Sequence, residues 1–244
     1  MDKPGLEVWR ERRRLTLDDA GVARVFYLKR FCDPPRSARR QVVRSGSGAN
    51  SIAGMEWTWI NRLVREGIAC VQPVAFGEEV RRSREIRSAI LTAAVPGESL
   101  EKWAARWTAA DRPRIQNLRS PSARLISQFH RAGYIHRDLY LSHIFYDPSV
   151  PSARSLHLID LQRVIRPRWW KGRWVVKDLA ALNFSTPMRL FSRTDRLRWL
   201  REYLAIAKLD GSARRLVYRI MGKTQSMTRH HQKRSPRLWN ADGL

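Results

Sequence analysis

His136-Arg137-Asp138-Leu139-Tyr140-Leu141-Ser142-His143 is followed by a second acid, Asp160, twenty-two residues beyond Asp138, in Leu158-Ile159-Asp160-Leu161. An apolar helix (Arg119 to Ala132, closed by Gly133) precedes this stretch. A short hairpin is expected inside it, from Ile144-Phe145-Tyr146 through a Pro/Ser-rich turn to Leu156-His157-Leu158-Ile159. A helix, a His-Arg-Asp turn, a hairpin and an Asp at the end of an apolar strand bring two carboxylates to one cleft. One is suited to take the proton of a hydroxyl. The other is a hard oxygen ligand of the kind Mg²⁺ needs.

Upstream, residues 6–31 read as strands: Leu6 to Trp9, Arg14 to Leu17, a turn at Asp18 to Gly21, then Arg24 to Phe31. β-branched and aromatic residues broken by a Gly-containing turn favour a small antiparallel sheet. Residues 33–51, with Pro34, Pro35, Gly46, Gly48 and many arginines, read as a loop. A helix is expected from Ala53 to Glu66, with Trp59, Ile60, Leu63 and Val64 as its apolar stripe and Gly67 as its stop. Val71 to Phe76 and Ala89 to Val95 read as two further strands, the second leading into Pro96-Gly97. Helices then dominate: Ser99 to Trp107 with Ser99 as cap, Arg119 to Ala132, Lys177 to Phe184 and Asp195 to Ala207. The order predicts an α+β, bilobal, protein-kinase-like fold. Residues 1–96 form a β-rich lobe with one helix, 97–222 a helical lobe, and 223–244 a mobile basic tail.

Lys+Arg is 47 against 22 acidic residues, a formal charge of +25, and only eight of the 47 are Lys. Arginine suits bidentate recognition of phosphate and carboxylate, and such a field favours a polyanionic partner. No nucleic-acid-binding motif occurs, so a specific nucleic acid is not expected. The longest apolar run, Ala89 to Val95, is far too short to span a bilayer. Met1-Asp2-Lys3-Pro4-Gly5 lacks the apolar core of a signal peptide. Cys32 and Cys70 provide no disulfide framework and read as packing residues in a reducing compartment.

Lys29 ends the apolar strand Phe26-Tyr27-Leu28-Lys29, from where it can reach nucleotide phosphates if a helix acid holds it. Glu56, near the start of the following helix, is the better placed partner; Glu66 lies at the far end. Lys177-Asp178-Leu179 opens a helix, and Asp178 is expected to support the backbone of the His136 loop, which His136 and Arg137 brace.

His136 to His143, Ile159-Asp160-Leu161-Gln162-Arg163 and Lys177-Asp178-Leu179-Ala180-Ala181-Leu182 together resemble the lipopolysaccharide kinase family, which includes core heptose kinases and Kdo kinases. Tyr27-Leu28-Lys29-Arg30, the Glu56 helix, Glu66-Gly67-Ile68 and Pro73-Val74-Ala75 add to the likeness, which runs over about residues 6–205. The resemblance implies an ATP- and Mg²⁺-dependent kinase that phosphorylates a sugar hydroxyl of an inner-core glycolipid at the cytoplasmic face of the inner membrane. Carried onto this chain it makes Asp138 the base, Asp160 the metal ligand, and Lys29 with Glu56 the phosphate-positioning pair. An anionic glycolipid and an anionic membrane surface are the expected partners.

The chain departs from ordinary kinases in four respects. His143 stands where they place Asn, making it the candidate second contact to metal or nucleotide. Residues 9–28 contain only Gly21, so Arg12, Arg13 or Arg14, or backbone amides, must replace a Gly-rich loop. Asp160 continues Leu161-Gln162 rather than Phe-Gly, and the span to Lys177 is too short for a peptide-docking segment. An atypical protein or small-molecule kinase, and a polyanion-binding pseudokinase, are the alternatives.

Overall fold

The computed structural model describes residues 8–19, 21–169 and 171–234. β1 (Arg10–Asp19) pairs antiparallel with β2 (Val22–Cys32), and the turn between them is held by the Gly21 amide donating to Asp18. β3 (Pro73–Arg81) and β4 (Arg84–Ala93) complete a four-stranded sheet of order β1-β2-β4-β3. The expected first strand falls partly outside the described residues, and Val8-Trp9 form a turn.

Helix α1 (Arg36–Ser45) occupies the stretch read as a loop. The residues that suggested a loop are its punctuation: Pro35 sits extended at the N-cap, and Gly46 ends it at φ 75°. Proline at a helix start and left-handed glycine at its end are ordinary boundary signals. The β-rich lobe therefore carries two helices rather than one. α2 (Ile52–Arg65) starts at Ser51, whose hydroxyl accepts from the Gly54 amide at 3.0 Å. It buries Met55, Trp59, Ile60 and Leu63 completely. Gly67 (φ 67°) stops it, and the Ile68 amide donates back to the Leu63 carbonyl at 2.9 Å.

Residues 69–71 lead back toward the site: the Leu158 amide donates to the Ala69 carbonyl at 3.0 Å, and the Val71 amide donates to the Leu158 carbonyl at 2.9 Å. β5 (Glu98–Ser99), β6 (Ile144–Tyr146) and β7 (Leu156–Leu158) form a small second sheet beneath the cleft. Ser99 caps α3 (Leu100–Arg106) as expected. α4 (Arg112–Arg131) starts two turns before its expected beginning and runs through Pro121. α5 (Lys171–Ser185), α6 (Arg193–Leu204) and α7 (Gly211–Arg234) complete the helical lobe. Residues 223–234, expected in a mobile tail, are the second half of α7. The helix is anchored on α5 by buried Ile220 and by Asn183 donating to Thr224 at 3.1 Å; 235–244 lie outside the described residues. Of the two thiols only Cys70 packs in the core, where burial pushes it up to about 12; Cys32 is exposed. Among the described residues, no helix is long and apolar enough to cross a membrane.

The connection between the lobes turns at Gly97, φ 79°. A β-carbon there would collide with the Tyr146 carbonyl of β6. Gly97→Ala is expected to cost at least about 2 kcal/mol in urea unfolding, from left-handed strain plus the clash. Gly77→Ala, with open space around it, is expected to stay within about 0.5 kcal/mol of wild type.

Candidate active site

The His136 loop is built on a buried carboxylate. Asp178, fully buried on α5, accepts from the backbone amides of His136 (2.7 Å) and Arg137 (2.8 Å). Its Oδ2 also lies 3.2 Å from His130 Nε2. These bonds hold Arg137 at φ 72°, a left-handed conformation that a non-glycine residue adopts only under constraint. His136 is fully buried with Nε2 3.0 Å from the Ile159 carbonyl, so Nε2 carries the proton in the neutral ring. Burial is the main reason its pKa falls below the ordinary histidine value.

Asp138 emerges after this turn, and Arg163 Nη1 bridges both of its carboxylate oxygens at 2.9 and 2.8 Å. Nothing in the sequence singles out Arg163 except its spacing. Asp160 caps the one-turn 3₁₀ helix Leu161–Arg163, and in that geometry residues three apart lie on the same side.

Asp160 follows β7 in the left-handed conformation, φ 57°. Its Oδ1 lies 3.0 Å from Lys29 Nζ and 3.3 Å from Arg12 Nη2. Burial opposes its charge, but Lys29, Arg12 and His143 outweigh burial and hold the carboxyl well below its ordinary range. Lys29 Nζ also donates to Glu56 Oε1 at 2.7 Å. Burial of the lysine opposes its charge, and Glu56 and then Asp160 overcome that and raise its pKa. Glu66, the other candidate, instead accepts from the Tyr134 hydroxyl at 2.6 Å.

Among the three arginines expected to replace the Gly-rich loop, the strand alternation separates Arg12 from Arg13. Arg12 is the register partner of Lys29 and turns to Asp160; Arg13 pairs with Glu11, and Arg14 bonds Thr16 at 3.5 Å. His143 Nδ1 donates to the Asp138 carbonyl at 2.7 Å, while its Nε2 lies 3.7 Å from Asp160 Oδ2. Nε2 is thus the ring nitrogen left facing the same carboxylate. The His136 and His143 rings stack at 5.7 Å. Among the described residues, no group of three or more His, Cys, Asp or Glu is arranged to hold a metal by itself.

A small sheet with a Lys-Glu pair, joined through a hinge to a helical lobe bearing two cleft carboxylates, defines a protein-kinase-like fold. A solved structure titled "WaaP in complex with acyl carrier protein" superposes with a TM-score of 0.67 and 30% identity, over 95% of this chain and 87% of that one. Residues 21–203 match the profile described as the Lipopolysaccharide kinase (Kdo/WaaP) family, and the chain belongs to that family. The lipopolysaccharide core heptose(I) kinase WaaP of Pseudomonas aeruginosa is 36% identical over 62% of this chain and 59% of its own length. Its Escherichia coli counterpart is 32% identical over 65% and 62%. The chain thus spans about 60% of the length of the curated relatives it matches.

Asp178→Asn keeps the shape but replaces one acceptor oxygen with an amide donor, so a buried backbone N–H or His130 loses its partner. A loss of about 1–3 kcal/mol in urea unfolding is expected. An unchanged midpoint would mean that the loop is held by its own turn.

Proposed function

We propose that this protein is an ATP-dependent kinase that phosphorylates a sugar hydroxyl on the inner core of lipopolysaccharide. The observation carrying this reading is the opposition of two differently clamped carboxylates in one cleft: Asp160 against Lys29 and Arg12, and Asp138 against Arg163. Lys29, steadied by Glu56, would meet the nucleotide phosphates, and Arg12, leaving Asp160, would cover them in place of a Gly-rich loop. Asp160 would supply a hard oxygen for Mg²⁺, which would take its remaining ligands from phosphate and water, and His143 Nε2, a nitrogen that Mg²⁺ takes less readily than oxygen, stands 3.7 Å from the same carboxylate. Bound there, the ion would neutralise charge on the transferring group. Asp138 would orient the acceptor hydroxyl and take its proton, and Arg163 would fix the carboxylate's rotamer and screen the incoming phosphoryl charge.

The acceptor is anionic in this reading, as the charge of +25 favours. Trp169, 78% exposed and preceded by Pro167-Arg168, is available to the headgroup region of an anionic membrane face. Association with an acyl carrier protein also belongs to the proposal. An apolar cavity of about 590 Å³ between α3, α4, α5, α6 and α7, lined by Leu118, Leu179 and Leu200 among others, has the character an acyl chain requires.

Acceptor-stimulated ATP turnover with Mg²⁺ tests the reading. Asp138→Asn is expected to lower kcat by about 10²–10⁴-fold with little change in the KM for ATP. Glu56→Gln is expected chiefly to raise the KM for ATP. Full activity of Asp138→Asn would remove the base assignment. Tight nucleotide binding with turnover only on peptide or small-molecule acceptors would favour the other kinase readings, and no nucleotide binding would favour a polyanion-binding pseudokinase.

A further inference from the structure

A second cavity, of about 220 Å³, opens between α1 and the His136 loop. Ser37, Gln41 and Arg44 of α1 line it together with Arg137 and Ile165. The Arg137 guanidinium lies 5.6 Å from the Trp174 ring centre, and Lys177 Nζ lies 5.8 Å from the same ring. Arg137 Nε is buried and has no hydrogen-bond partner. Among the described residues, Arg44, Arg137 and Lys177 make no salt bridge.

The local charges do not balance. Arg137, Arg163 and Lys177 face two carboxylates, Asp138 and Asp178, and Arg44 adds a further, exposed cation at the cavity. Asp138 is engaged by Arg163, and both oxygens of Asp178 are taken by the loop amides and His130. Burial, followed by Arg163 beside it, lowers the pKa of Arg137. Burial also lowers that of Lys177, where Asp138 opposes the shift and Arg137 and Arg163 add to it. Arg137 and Lys177, half-buried like charges, and the unused Nε donor of Arg137 are the environment an oxyanion relieves, and guanidinium groups match its geometry. The nucleotide side of the cleft has its own cations in Lys29 and Arg12. This cavity instead borders Arg137, the residue immediately before the carboxylate read as the base.

We propose that the cavity is an oxyanion subsite for the acceptor. A carboxylate or phosphate substituent of the acceptor sugar docks between Arg44 and Arg137, and this anchor selects which neighbouring hydroxyl reaches Asp138. The proposal rests on the kinase reading for the identity of the acceptor, but its binding test does not require turnover.

The test is calorimetric titration of nucleotide-free protein with inner-core oligosaccharide in native, carboxyl-reduced and dephosphorylated forms, and with inorganic phosphate. Wild type is compared with Arg44→Ala, Arg44→Lys and the exposed control Arg81→Ala. Arg44→Ala is expected to weaken native oligosaccharide binding about tenfold. Arg44→Lys should recover part of the loss, and Arg81→Ala should match wild type. The penalty should disappear with whichever modified oligosaccharide lacks the anchoring group, which identifies carboxylate or phosphate. Three results would overturn the subsite: equal affinities for wild type and Arg44→Ala, the same penalty on every oligosaccharide form, or binding of inorganic phosphate without binding of oligosaccharide. Arg44-dependent oligosaccharide binding in a protein that turns over no ATP would leave the subsite standing and dismiss the kinase reading.

Discussion

The site depends on one buried carboxylate. Asp178 is fully removed from solvent, and burying an ion costs several kcal/mol unless its oxygens are fully engaged. Here they accept from two consecutive backbone amides and face His130, whose Nδ1 in turn lies 2.8 Å from the Tyr203 hydroxyl of α6. This network offsets the left-handed strain at Arg137 and sets the direction in which Asp138 leaves the loop. Through the Asp138 carbonyl it also orients His143, and through His143 it reaches Asp160. A change in α5 is therefore felt at both cleft carboxylates.

Electrostatics divides the cleft in two. On the side of Lys29 a continuous run, Glu56, Lys29, Asp160 and Arg12, alternates in sign within hydrogen-bond distance. Each charge there is offset by a neighbour of opposite sign and would exchange it only for a ligand that carries that same opposite charge. On the side of Asp138 the sequence Asp138, Arg163, Arg137, Lys177 is unbalanced toward positive charge. In the proposed reading this asymmetry suits a polyanionic nucleotide on the first side and an anionic acceptor on the second.

The two carboxylates, the Lys29 strand, the Glu56 helix and the supporting Asp178 were legible because each depends on local pattern: apolar periodicity, a strand end, a helix start. Glu56 and Glu66 differ by position along one helix, which a sequence displays. Other features were not legible. α1 is rich in arginine and has few apolar residues, so its periodicity is weak, and Pro35 and Gly46 read equally well as loop markers until the chain between them is seen to pack. The second half of α7 looks like a solvated basic tail because its stability comes from contact with α5 rather than from its own composition. Arg163 and Arg12 are two among many arginines, and only the three-residue 3₁₀ turn and the pairing of β1 with Lys29 distinguish them.

α1 also explains how so short a segment after Asp160 suffices. A long loop is not needed to wall this side of the cleft, because a helix from the β-rich lobe reaches across to do it. Gln41 donates to the Gln162 carbonyl at 3.2 Å, and the Arg166 amide donates to the Ser45 carbonyl at 3.3 Å. These bonds tie the segment following Asp160 to the lobe that carries Lys29. The same segment pairs with the His136 loop, where Ile135 and Ile165 exchange backbone hydrogen bonds at 3.0 Å. α1, this segment and the loop that carries Asp138 are therefore joined through backbone hydrogen bonds, and a shift of any one of them is passed to the other two.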